Sequence, residues 1–251
     1  MVQTIEPVST KDYILKAVVY TLYGQSKGNQ EMLAKAVKQF QLIGTSSTEC
    51  DTIQGRQCIA SFLFLKKQFE EVMVYLKTIK EYSEGDDDFN WNYGIALASL
   101  RKYKEALEHF QLIQSEAYKQ DLVFNQWLAR CFIETGESSK AWNLYLEMDT
   151  SNETVVFLNL IANEFYLKKD YYFALKSFDI MERLDNEDYS VPKTACSIGC
   201  FKQFLTNKCS QQQFEEAVSI LRQSSRNEQI EHVLRVFEGF LQEDDEEKSE
   251  D

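Results

Sequence analysis

The 251-residue chain is poor in everything that breaks a helix: two prolines, Pro7 and Pro192, and nine glycines. Sandwiches and barrels of short strands need turn residues roughly every 8–12 positions, so this scarcity excludes them. Histidine is as rare. His109 and His232 lie far apart on different predicted helices, and no Ser–His–Asp or Cys–His set can be assembled around either. Gly55, Gly85, Gly94, Gly136 and Gly199 are isolated, with no GxxxxGK[ST] phosphate loop. No apolar run reaches the roughly 20 residues that a membrane helix takes. The N-terminus MVQTIEPVSTKDY lacks a basic segment followed by an apolar one. Basic residues are outnumbered 27 to 40, a formal charge of −13 that disfavours phosphate-rich partners. These shortages predict a protein that is not an enzyme and has no cofactor, metal, nucleic-acid partner or membrane insertion.

What remains suits long helices with tight connections, since hydrophobic residues make up 44% of the chain. The charge is uneven. Between Glu243 and Asp251 seven acidic residues face Lys248 alone, so 242–251 is predicted to be an acidic disordered tail. Six cysteines are scattered without a CxxC pair, as expected of reduced thiols in a cytosol-continuous compartment. Cys196 and Cys200 fall on one helix face, with Cys209 a turn and a linker away. A three-thiolate metal site is one reading of them. Burial as small hydrophobes is the favoured one, because free cysteine is among the most buried residue types. His109 is expected at an exposed or rim position, and EGDDDF (84–89) reads as a polar loop with helix-capping aspartates.

The organising signal is repetition. FEEVMVYLKTI (69–79), YKEALEHFQLI (103–113), SSKAWNLYLEM (138–148) and YYFALKSFDIM (171–181) share a pattern. Each sets a small or β-branched residue four before a large apolar one: Val72/Leu76, Ala106/Phe110, Ala141/Tyr145 and Ala174/Phe178. Twelve residues upstream stand Ala60, Gly94, Ala129 and Ala162, each followed three positions later by Leu63, Leu97, Phe132 or Phe165. The steps of 34, 35 and 33 residues between Val72, Ala106, Ala141 and Ala174 match the tetratricopeptide period. The fold class predicted is all-α, a tetratricopeptide-repeat superhelical solenoid of stacked antiparallel helix hairpins. KKQ (66–68), RKY (101–103), TGES (135–138) and KKD (168–170) carry the turns.

Residues 1–241 are assigned to an array of about five to six helix pairs, clearest at 53–185. DYILKAVVYTLYG (12–24) and EMLAKAVKQFQLI (31–43) make an earlier hairpin, followed by a polar connection over 44–55. Capping helices occupy 192–241, the first opened by Pro192. Residues 1–8 resemble the end of a helix without its partner, so an uncovered apolar end is expected there. Preceding repeats or self-association would cap it.

Helix A positions facing the concave side form the candidate protein-binding groove. Three before each small residue lie Gln57, Trp91, Gln126 and Asn159, and one after it lie Ser61, Ile95, Arg130 and Asn163. Amides, one tryptophan and one cation suit hydrogen bonding to an extended or helical partner segment, although simple solvation explains a polar face as well. With Arg130 the single cation, a clamp for a C-terminal carboxylate is disfavoured.

Particular words go beyond the generic repeat: ECDTIQGRQCIASFLFLKKQFEEV (49–72), QDLVFNQWLARCFI (120–133), AWNLYLEM (141–148), LIANEFY (160–166) and YYFALKSFDIMERLD (171–185). From about residue 3 to Leu241 the chain resembles the C-terminal half of the intraflagellar transport protein 56 family, also called tetratricopeptide repeat protein 26. The resemblance implies a non-catalytic scaffold of intraflagellar transport complex B, tied to intraflagellar transport protein 46, that supports cilium assembly and import of motility cargo. It implies localisation to the cilium or flagellum, the ciliary base and the cytoplasm. The chain departs from that family in lacking the repeats that normally precede this region and in its acidic tail. The alternative is a tetratricopeptide peptide-binding adaptor unconnected with cilia, which calls for a cationic groove. A prenyltransferase-like helical enzyme calls for zinc ligands and a basic diphosphate site.

Overall fold

The computed structural model describes residues 7–83, 85–224 and 228–249, with 241–249 as backbone alone. Among these residues the chain is all-α, a succession of antiparallel hairpins of the tetratricopeptide type. It divides into two compact units, Met1–Tyr118 and Lys119–Asp251. The first holds the hairpins α1 (Thr10–Ser26) with α2 (Gln30–Gly44), α3 (Ile53–Leu65) with α4 (Phe69–Ile79), and α5 (Asp87–Ser99) with α6 (Tyr103–Leu112). A single helical turn, α7 (Glu116–Lys119), straddles the boundary. The second holds α8 (Leu122–Thr135) with α9 (Ser138–Glu147), α10 (Asn152–Leu167) with α11 (Tyr171–Asp185), and α12 (Ser190–Phe204) with α13 (Gln211–Gln223), closed by α14 (Glu228–Ser249).

Each hairpin turns on one residue in the left-handed region: Gly28, Lys67, Arg101, Gly136, Lys169 and Asn207, with φ between 55° and 85°. The next residue sends its N–H back to a carbonyl on the last turn of the first helix. Gln68 donates to Leu63 at 3.0 Å, Lys102 to Leu97 at 3.0 Å, Glu137 to Phe132 at 2.8 Å, Asp170 to Phe165 at 2.8 Å, and Lys208 to Gln203 at 2.8 Å. This is the Schellman closure, which satisfies orphan carbonyls at a helix end. The second helix of a hairpin then begins at once, and α4, α6 and α9 carry no side-chain cap. Five of the six first helices carry one, α12 being the exception, as do the second helices α2 and α13 from Asn29 and Ser210. Ser9, Thr52, Asp86, Asp121 and Ser151 each accept a backbone N–H of the first turn.

The small residues picked out by the repeat mark where helices meet. Ala60, Ala129 and Ala162 on first helices and Val72, Ala106, Ala141 and Ala174 on second helices are all buried. A Cβ added to Gly94 would sit inside the Phe110 ring, so the glycine sets how closely α5 approaches α6. In the first unit Ala17, Tyr20, Ala36, Phe40, Ile43 and Cys58 form one cluster across α1, α2 and α3. In the second, Phe157, Leu158, Ile161 and Phe165 of α10 are fully buried. At its far end α14 brings Phe237 to 4.9 Å and Phe240 to 5.4 Å from the Phe201 ring, closing the last hairpin.

Several expectations are refined. Pro192 lies in the first turn of α12, which begins at Ser190, where its missing N–H has no intrahelical partner to lose. The backbone of α14 is helical to Ser249, into the stretch read as a disordered tail from 242; Glu, Gln and Lys are good helix formers whatever their charge. The helix remnant expected over 1–8 falls mainly in 1–6, outside the described residues. His109 corrects a prediction outright: it is 8% exposed, not a rim residue. Its Nδ1 lies 2.9 Å from Oδ1 of Asn90, and its ring packs 4.3 Å from that of Tyr93. An adjacent helix supplies the partner that makes burial tolerable, which a reading of α6 alone misses.

Candidate protein-interaction surface

The turn residues supply a structural register independent of sequence words. Counting ten back from each reaches Gln57, Trp91, Gln126 and Asn159, and six back reaches Ser61, Ile95, Arg130 and Asn163. The groove positions read from the sequence are therefore equivalent places on successive first helices.

In the first unit, Gln57 and Ser61 are half-buried on α3, and Ser61 Oγ donates to the Gln57 carbonyl at 2.9 Å. Trp91 and Ile95 are half-buried on α5. The Trp91 ring packs 5.7 Å from Phe110 and 5.9 Å from Tyr118. Tyr118 is in turn fixed by donating to Asp88 at 2.5 Å, a bond that, after burial, pushes its phenol pKa upward. Asp87 accepts from the Gln114 and Ser115 amides at 3.0 and 2.8 Å, while Asp86 caps α5. All three aspartates of the acidic run are thus engaged in local structure. The capping role was legible from sequence; the other two needed the chain to come back.

In the second unit, α8, which carries Gln126 and Arg130, lies beside α10, which carries Asn159 and Asn163. Nε and Nη2 of Arg130 both donate to Oε1 of Glu164, at 2.9 and 2.6 Å, and the guanidinium lies 5.4 Å over the Trp127 ring. Glu134 and Lys168 form a second ion pair between the same helices. The one cation of the groove is therefore already neutralised and ties two helices together. Phe201 holds the equivalent position on α12 and meets Phe237 of α14. At Arg130 and Phe201 position six back is thus a contact between neighbouring helices, whereas Asn163 at the same position is exposed, and position ten back ranges from exposed Asn159 to fully buried Ser197. Asn159 and Asn163 stay exposed, with Asn163 Nδ2 donating to the Asn159 carbonyl at 2.7 Å and to its Oδ1 at 2.9 Å.

Carried to α1, the same count lands on Val18 and Leu22. The sequence repeat did not reach them, because the first turn stands 39 residues before the second rather than about 34. Leu15, Val18 and Leu22 make an exposed apolar stripe, with Leu15 64% and Leu22 61% accessible. The opposite face of α1, through Ala17, Tyr20 and Gly24, packs on α2. A helix apolar on both faces is the pattern of one covered on both.

Of the cysteines, Cys58, Cys131, Cys196, Cys200 and Cys209 are buried and Cys50 is half-buried. Burial pushes the thiol pKa of Cys58 to about 11 and those of Cys131 and Cys196 to about 12, the behaviour of structural thiols. Among the described residues no three His, Cys, Asp or Glu side chains gather as metal ligands, and no helix is long and apolar enough to cross a membrane.

Comparison with known proteins adds identity to this geometry. Residues 1–249 match the family model of intraflagellar transport protein 56. The intraflagellar transport protein 56 homolog of Caenorhabditis elegans is 31% identical over 205 residues, covering 81% of this chain and 35% of the worm protein. The chain thus spans about a third of the length of the curated relative it matches. With hairpins of the tetratricopeptide type throughout and a family match along nearly its full length, the chain belongs to the intraflagellar transport protein 56 family.

Proposed function

We propose that this chain is a non-catalytic protein-interaction scaffold that works as part of intraflagellar transport complex B. In this role it supports cilium assembly and the import of ciliary motility cargo, with intraflagellar transport protein 46 as a direct partner. It acts in the cilium or flagellum, at the ciliary base and in the cytoplasm. The observation that carries this reading is the family match over 1–249 on an all-helical hairpin framework. The mechanism is geometric. Helices pinned by closed turns and interhelical ion pairs hold the exposed face of each unit in one shape, so a partner loses little ordering free energy to the scaffold on docking. Gln57 with Trp91 in the first unit, and Gln126 with Asn159 in the second, hold one register position on their helices, and Asn159 with Asn163 offers amide groups to a partner backbone. The array comprises residues 1–241, with 242–251 as its acidic extension. The neutralisation of Arg130 by Glu164 weighs against an adaptor that captures carboxylate termini, since no free cation remains at the groove positions named.

Co-purification of the chain with intraflagellar transport protein 46 tests the proposal, with a paired Asn159→Arg and Asn163→Arg variant beside it. Both positions are exposed on a helix and arginine is the better helix former, so the variant folds. Capture by the parent chain and its loss in the variant are expected. Capture by both keeps the scaffold and removes the amide face from it. Absence of capture by the parent chain, while a longer family member captures the same partner, overturns the assignment of this partner to the segment.

A further inference from the structure

The first and last hairpins treat one register position differently. On α12 the position six back from the turn residue is Phe201, and α14 covers it, with the rings of Phe237 and Phe240 at 4.9 and 5.4 Å. This covering helix is acidic and amphipathic. Eight carboxylates stand against Arg235 and Lys248 along Glu228–Ser249, while Ile230 and Phe237 are buried. On α1 the same position is Leu22, which is exposed, in line with Val18 and Leu15 at ten and thirteen back.

We propose that this stripe of α1 is a docking surface for an acidic amphipathic helix of a separate polypeptide, lying on Leu22 as α14 lies on Phe201. Charge supplies a second argument. Residues 10–44 carry five lysines against Asp12 and Glu31, in a chain whose formal charge is −13. Both of those carboxylates are already held: Asp12 accepts from the Ser9 amide at 2.9 Å, and Glu31 pairs with Lys35 at 2.6 Å. Lys11 stands one turn before Leu15 on the same face, and exposed Lys27 follows the last residue of α1. The stripe thus has a cation at each end, about 24 Å apart along the helix. Carboxylates near both ends of a partner helix would meet these lysines, and charges so placed fix partner and register more than affinity. The surface shares no residue with the amide face of the second unit.

Two other occupants fit less well. A hairpin preceding α1 would pack elsewhere, because second helices meet the following first helix at the position eight back. There a Cβ on Gly44 of α2 would fall 2.9 Å from Cβ of Ile59, and one on Gly199 would fall 2.4 Å from the Tyr171 ring of α11. Eight back on α1 is Tyr20, buried on the opposite side of the helix from Leu15, Val18 and Leu22. A second copy docked α1 to α1 about a two-fold axis sets lysine against lysine whichever way the two helices run.

Fluorescence anisotropy of a labelled peptide of residues 228–249, added to the full chain as an acidic amphipathic probe, tests this. Saturable binding is expected, weakened at least about tenfold by Leu15→Gln with Leu22→Gln. Both side chains are exposed and glutamine is a good helix former, so that variant folds. Lys11→Glu with Lys27→Glu is expected to lose the peptide and to gain an analogue whose carboxylates are replaced by lysines. A peptide that binds the parent chain and the leucine variant alike is exchanging with α14 on α12 and overturns the proposal, as does no binding at all. Equal binding of the acidic peptide and its lysine analogue overturns the partner class. A dimer in sedimentation that the leucine variant disperses assigns the stripe to a second copy. Flotation with phosphatidylserine vesicles, lost in that variant while the peptide fails to bind, assigns it to a membrane surface. Either result replaces the proposal.

Discussion

Lys193 of α12 is fully buried, with Nζ 2.8 Å from Oδ1 of Asp179 and 2.7 Å from Oε2 of Glu182, both on α11. Asp179 also receives Arg183, so one cation and two carboxylates lock the turn between these helices, with a second cation at the rim. Removing one member of a buried ionic set leaves the others uncompensated, at a cost of about 3–5 kcal/mol. Lys193→Met is expected to lower the stability of the second unit by about that much. Urea unfolding followed by far-UV circular dichroism reads it, and a loss under about 1 kcal/mol would show that Arg183 suffices for both carboxylates.

The six hairpin turns offer a matched pair of substitutions. Gly136 has φ of 85° and open space around its missing side chain. Gly136→Ala therefore meets backbone strain alone, about 1–2 kcal/mol. Arg101 adopts φ of 60° with a bulky side chain. Arg101→Gly relieves that strain and is expected to raise stability by a few tenths to about 1 kcal/mol, after the entropy cost of glycine. Thermal midpoints moving in opposite directions check both; movement in the same direction would mean the turns are not held by their backbone conformation.

Gly94→Ala places a methyl in the Phe110 ring. Overpacking of this kind costs about 1–3 kcal/mol. Phe110→Leu in the same chain should return part of the loss, since it opens the space the methyl needs. A double-mutant cycle measures this coupling, and strict additivity of the two losses would argue against close approach of α5 and α6.

Acid should weaken the first unit through His109. Burial and then the nearby Lys80 lower its pKa in the folded chain. The unfolded chain accordingly takes up the proton first, below an ordinary value of 6.5. The stability tied to neutral His109 is present above that pH and is lost as pH falls through the lower folded value. Urea midpoints at pH about 7.5 and 5.5 should differ less in His109→Gln, which does not titrate, than in the parent chain. An equal difference in both would assign the acid sensitivity elsewhere.

Much of this architecture is present in the one-dimensional pattern. Small residues at Ala60, Gly94, Ala129 and Ala162, large ones three and sixteen positions on, and linkers of three or four residues specify helix hairpins, because close helix approach and tight turns tolerate few residue types. Even the turn bonds were implicit, since each linker named from sequence holds its left-handed residue. What the pattern could not supply were pairings between side chains distant in the chain. His109 looked like a rim residue until Asn90 stood across from it, and Arg130 looked like a free cation until Glu164 met both its nitrogens. Leu22 fell out of register because a longer connection separates the first hairpin from the second. Periodicity encodes which face of a helix is apolar; the partner of a polar group is set by how helices come to rest against one another, which depends on the packing of the whole unit.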